Sequence, residues 1–164
     1  MAESRSDLLR WQFEMTWSLF EYHLDLLEPE DIGWEPGSAH VFTMRHNGTT
    51  WERDWPTPEQ ESAGVATIAW LTWHIGWWWT AAIDHVREQE PREVTWPGPE
   101  KAIGWLRRLK DEWLETVDGA DLDAATTFPW PDGALTVAHT VAWVNAELMK
   151  NVAEIGQLRR LVRR

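Results

Sequence analysis

The stretch Ala66-Thr67-Ile68-Ala69-Trp70-Leu71-Thr72-Trp73-His74-Ile75-Gly76-Trp77-Trp78-Trp79-Thr80-Ala81-Ala82-Ile83 decides how the chain is read. Apolar and aromatic side chains fill it almost without a break from Val65 onward. His74 and Gly76 interrupt the run and acidic residues flank it, so it falls short of the 18 or more apolar residues of a membrane span. It reads instead as the buried helix of a soluble, cytoplasmic domain. Thr57-Pro58-Glu59-Gln60 matches a capping box with Pro at the first helical position, which predicts a helix over 58–90. Gly64 leaves a later start near Thr67 open, and Pro91 ends the helix.

Residues three or four apart share a helix face, so His74 lies beside Trp70, Trp77, Trp78 and Ala81. An imidazole among aromatic rings is desolvated, which favours the neutral, metal-ligating form. A core histidine satisfied by a carbonyl or carboxylate is the plainer reading. Trp77, Trp78 and Trp79 together sweep roughly 200° of the helix, so they cannot all enter one seam. One of them must line a pocket, cover a loop or meet a partner.

Outward from this helix, three more appear. Upstream, Leu9, Phe13, Trp17, Phe20, Leu24 and Leu27 recur at helical spacing over 6–27, with Ser6 as the expected N-cap. His23 is expected at the rim of that face. Downstream, Pro97-Gly98-Pro99 breaks the chain. Ile103, Leu106, Leu109, Trp113 and Val117 then give a stripe over 99–117. A loop with Phe128-Pro129-Trp130-Pro131-Asp132-Gly133 leads to a last helix over 135–161. On it, Val141, Val144, Leu148, Val152, Ile155 and Leu158 point inward. A second stripe of Trp143, Glu147, Asn151 and Glu154 is either solvated or turned inward opposite His74. Between the first two helices, Asn47-Gly48 sits between β-prone runs, the mark of a hairpin over 41–53. The expected fold is therefore all-α: one domain over 1–164, a four-helix bundle with a small β-hairpin between helices one and two.

Composition narrows the function. The chain holds 27 acidic against 15 basic residues and a formal charge of −12. Four of the arginines (Arg159, Arg160, Arg163 and Arg164) crowd the C-terminus, so the body is more acidic still. A nucleic-acid surface needs a basic footprint, which is lacking. With no cysteine there is no disulfide, thiolate ligand or cysteine nucleophile. His40, His46, His85 and His139 form no zinc motif, because no His-x-x-x-His or His-Glu-x-x-His occurs. The 15 tryptophans are the one abnormal count.

Ala66 to Gly76 resembles the helix-two signature of the DinB/YfiT-like superfamily, and Asn145 to Leu161 resembles its helix-four signature. Trp34-Glu35-Pro36-Gly37, the turn at Gly48 and Asp54-Trp55 are similar to the actinobacterial branch. The resemblance implies a four-helix bundle, often dimeric. It also implies a divalent metal held by one His of helix two and a pair four residues apart on helix four. Members include enzymes that use a low-molecular-weight thiol, such as mycothiol-dependent maleylpyruvate isomerase and bacillithiol transferases. His74 matches the helix-two ligand, and the helix-four pair falls on Glu147 and Asn151. Family members commonly have His at the second of these, yet here Lys150-Asn151 stands where His-His is frequent. Asn is a poor substitute for imidazole on a transition metal.

Three functions follow as expectations. In the first, a degenerate metal site lies in an aromatic pocket of Trp70, Trp73, His74, Trp78, Trp143, Glu147 and Asn151 that binds a small apolar molecule. A His74–Glu147 hydrogen bond would replace the metal there and raise the His74 pKa. In the second, His74, Glu147 and Asn151 hold Zn or Ni for an S-transferase or isomerase that borrows an exogenous thiol. The third is a non-catalytic homodimeric interaction protein.

Overall fold

The computed structural model describes residues 4–37, 40–55 and 64–162. Helix α1 (Arg5–Leu24) starts at Ser4, not Ser6. Ser4 has an acid three residues on, and the two close a reciprocal box. The Asp7 amide donates to Ser4 Oγ, and the Ser4 amide donates to the Asp7 carboxylate, each at 3.1 Å. Ser6 has Leu9 at that spacing and can make no such pair. The helix also stops at Leu24, short of the expected Leu27, and a one-turn helix α2 (Pro29–Ile32) follows with Pro at its start.

The next segment is richer in strand than one hairpin. β1 (Val41–Phe42) runs into β2 (Met44–His46), which pairs antiparallel with β3 (Trp51–Arg53), His46 opposite Trp51. β4 (Val65–Ala66) then returns to lie parallel to β1, with Val41 beside Val65. This second pairing leads directly into the long aromatic helix. Thr67 N donates to the Phe42 carbonyl at 3.0 Å, and Thr67 Oγ1 accepts from the Trp70 amide at 3.1 Å as the N-cap.

Helix α3 (Ile68–Val86) is thus ten residues shorter at its start than the capping box at Thr57-Pro58 predicts, and that box lies outside the described residues. The chain reverses just after α3, with Glu88 at φ 53°. Asp84, 2% exposed, fixes the reversal: it accepts from the Arg92 amide at 2.8 Å, Arg92 Nε at 2.6 Å and Gln89 Nε2 at 2.6 Å. Helix α4 (Pro99–Gly119) follows. β5 (Ala125–Thr126) and β6 (Leu135–Thr136) form a short antiparallel pair that brackets the Phe128–Trp130 loop and feeds α5 (Val137–Val162).

The chain is predominantly helical. α5 packs on α1 and α3, and α3 also packs on α4. Two glycines allow the closest approaches. A Cβ on Gly76 would fall 1.8 Å from the ring of Trp105 on α4, and one on Gly156 would fall 2.5 Å from His23 Nε2. His23 is therefore buried rather than at a rim, with Arg159 Nε donating to its Nδ1 at 3.3 Å. Of the tryptophan triplet, Trp78 and Trp79 are buried and Trp77 is exposed. Trp79 packs against Phe13 and Trp17. On α1 a second apolar stripe, Leu8, Trp11, Met15, Leu19 and Tyr22, faces solvent. No helix among the described residues is long and apolar enough to cross a membrane.

Gly76→Ala tests the α3–α4 contact. An indole cannot yield as a flexible side chain does, so the two helices must separate. Overpacking of this kind costs about 1–3 kcal/mol. Urea unfolding of the variant should show a lower midpoint at an unchanged slope; an unchanged midpoint would mean that the contact is slack.

Candidate functional site

A cleft of about 940 Å³ opens between α3, α5, β4 and the loop between β5 and β6. Among the described residues, five tryptophans (Trp70, Trp77, Trp78, Trp130 and Trp143) line it together with Phe42 and Phe128. Its polar groups are His74 from α3 and Glu147, Lys150, Asn151, Glu154 and Gln157 from α5.

The sheet region positions the α3 side of the cleft. Asp54 accepts the Thr43 amide at 3.1 Å and Arg45 Nε at 3.2 Å through its carboxylate, and its carbonyl accepts Trp70 Nε1 at 2.8 Å. Trp70 is thereby fixed, and the His74 ring stacks on it at 4.7 Å and 16°. On the far side three rings meet near right angles. Trp143 is edge-to-face with Trp78 (5.6 Å, 77°) and with Phe128 (5.3 Å, 87°). Thr140 Oγ1 holds the Phe128 carbonyl at 2.9 Å, which ties the loop to α5.

Six of the seven side chains picked from the sequence meet here: Trp70, His74, Trp78, Trp143, Glu147 and Asn151 all line the cleft. Trp73 does not. It is buried beside the lining residues, its ring meeting Trp70 at 5.6 Å, His74 at 6.3 Å and Trp77 at 5.9 Å, and it lies 5.2 Å from the Arg53 guanidinium. Sequence reasoning missed Phe42, Trp77, Phe128 and Trp130 as lining residues. Phe128-Pro129-Trp130 carried a usable signal, because two aromatics in a polar loop must cover something.

The polar groups are arranged differently from the expectation. No His74–Glu147 hydrogen bond forms. Lys150 Nζ donates to Glu147 Oε2 at 2.5 Å, while His74 Nδ1 is buried without a partner. The His74 pKa is pushed down to about 4, chiefly by burial and then by the Lys150 ammonium, with the Glu147 carboxylate opposing. The imidazole is neutral at pH 7. Asn151 Oδ1 accepts from Trp78 Nε1 at 3.2 Å, and its Nδ2 donates to Glu154 Oε2 at 3.2 Å.

These engagements bear on the metal that the resemblance implies. A dication needs three good donors converging on it. Here Asn151 offers a neutral amide already bonded on both sides, and Glu147 holds an ammonium ion. Among the described residues no group of three or more His, Asp or Glu lies together as a set that could hold a metal ion. The residues do not fit a divalent metal.

A family model described as the DinB superfamily matches residues 12–155. The chain belongs to that superfamily. Comparisons with curated proteins and with solved structures returned no match.

The depressed pKa makes a signed prediction. Between pH 6.5 and about 4 the unfolded chain protonates His74 while the folded chain does not, so acidification destabilises the fold across that window. The histidine proton resonances should show one imidazole titrating near pH 4, absent in His74→Gln, and the variant should lose part of the acid-dependent drop in urea midpoint. A His74 midpoint at or above 6.5 would contradict the buried, unpartnered ring.

Proposed function

We propose that this DinB-superfamily protein is a four-helix bundle that binds a small, largely apolar molecule in the aromatic cleft, without a catalytic metal. The observation that carries the reading is a large indole-lined cavity with the half-buried, neutral His74 imidazole at its wall. Ligand sites combine an apolar lining with a few polar groups that fix orientation. Such a protein would act in the cytoplasm, where a chain without cysteine is indifferent to the reducing environment.

The competing reading is a thiol S-transferase or isomerase in which His74, Glu147 and Asn151 hold Zn or Ni. The Lys150–Glu147 ion pair speaks against it: an ammonium ion already neutralises the carboxylate that a dication would need. A homodimer formed through the solvent-facing stripe of α1 is compatible with either reading.

Two measurements separate the readings. Protein purified without a histidine tag and dialysed against excess zinc should retain much less than one equivalent of metal. Stoichiometric zinc that is lost in His74→Ala would establish the metal-dependent reading instead. A neutral aromatic probe such as N-phenyl-1-naphthylamine should bind the cleft, and Trp143→Ala should weaken it about tenfold through lost ring contact. Equal binding by the two proteins would move the ligand site elsewhere.

A further inference from the structure

The cleft's charge and ring geometry go further than its apolar character. Its described ionisable side chains are His74, Glu147, Lys150 and Glu154. Lys150 and Glu147 cancel as an ion pair. Glu154 has no such partner: its carboxylate accepts only from the neutral Asn151 amide, and no cation pairs with it among the described residues. With His74 neutral, the cleft carries one uncompensated negative charge.

Glu154 is exposed at the cleft, and the same cleft is lined by aromatic rings. Ring faces are electron-rich, and cations held near several of them are bound strongly once desolvated. Trp78, Trp143 and Phe128 meet edge-to-face in the cleft, and on the same side of α3 as Trp78 the His74 ring stacks on Trp70. Asn151 bridges the two features, since it bonds Trp78 on one side and Glu154 on the other. The same chain that leaves a carboxylate unpaired at the cleft carries a formal charge of −12, so the long-range field also favours cations.

We infer that the ligand of this cleft is an organic cation, a substituted ammonium group on an apolar or aromatic body, recognised by the cleft's aromatic rings and by Glu154. The inference rests on the reading of the cleft as a ligand site. An anion would meet Glu154 and the ring faces as repulsive surfaces, and Lys150 can serve it only by leaving Glu147.

Isothermal titration with three probes of matched shape tests this. Benzyltrimethylammonium carries the cation, neopentylbenzene is its uncharged isostere, and 4-tert-butylbenzoate is an anion of similar bulk. The cation should bind at least tenfold more tightly than the isostere. In Glu154→Gln, which keeps an acceptor for Asn151, that preference should fall severalfold while affinity for the isostere is unchanged. Equal affinity for cation and isostere, tighter binding of the benzoate, or an undiminished preference in Glu154→Gln would each overturn the inference and leave the apolar-site reading standing. Failure of all three probes to bind folded protein would overturn both.

Discussion

Two helix pairs in this molecule meet through an aromatic ring seated directly on a glycine, and the remaining geometry is built around those contacts. Gly76 admits the Trp105 ring against the backbone of α3, and Gly156 admits His23 against the backbone of α5. The first contact also orients the site. His74 lies two residues before Gly76, about 200° around the helix. A helix pinned to α4 through its glycine must therefore turn His74 away from α4 and toward the cleft. The aromatic wall follows from the same rotation, because Trp70, Trp77, Trp78 and Ala81 share His74's side of the helix. The second contact seats α5 against α1, and so sets the helix from which Glu147, Lys150 and Asn151 project.

The electrostatics of the cleft then depend on two neighbouring departures, Lys150 and Asn151, from the pattern that the family resemblance implies. An imidazole at position 151 would be a neutral donor able to share a metal with His74. The Asn151 amide instead links Trp78 to Glu154, and Lys150 brings a fixed positive charge within reach of Glu147. A protein ammonium thus takes up the carboxylate that a metal would otherwise use. Burial keeps His74 uncharged, so the ring does not compete with Lys150 for that carboxylate.

Much of the helical layout could be read from periodicity, because long amphipathic stripes such as Phe13-Phe20-Leu24 or Val144-Leu148-Val152-Ile155 have one physical reading. The ends were less legible. Ser4 and Ser6 are equally good caps by residue type, and only the acid at position 7 distinguishes them. Two-residue strands such as β1 and β4 carry no periodicity at all, and their pairing is non-local, so nothing in either segment announces the other. At the site, the α3 and α5 faces were legible as stripes, which brought six side chains into one cleft. Trp73 lies just behind that lining, packed on Trp70, His74 and Trp77, and periodicity alone does not separate a ring that lines a cavity from one that backs it. The Lys150–Glu147 pair was hidden because a lysine's reach lets it fold back on its own helix or point to water. His23 looked like a rim residue because the glycine that makes room for it lies on another helix.

The parallel pairing of Val41–Phe42 with Val65–Ala66 has a further consequence. Paired strands run about 5 Å apart, so the chain enters this segment at Phe42 and leaves it at Val65 at adjacent points. Inside that clamp the β2–β3 hairpin packs back on the helices through Met44 and Trp51, and its turn at Asn47–Thr50 is exposed. That turn can change length over evolutionary time without shifting the start of α3, since lengthening a closed loop costs only the logarithm of its size. The clamp itself is less free to drift, because the Phe42 carbonyl receives the Thr67 amide and Thr67 caps the helix that carries His74. The exposed turn is therefore a place where new sequence can be tried cheaply, while the strands behind it keep hold of the helix that carries His74.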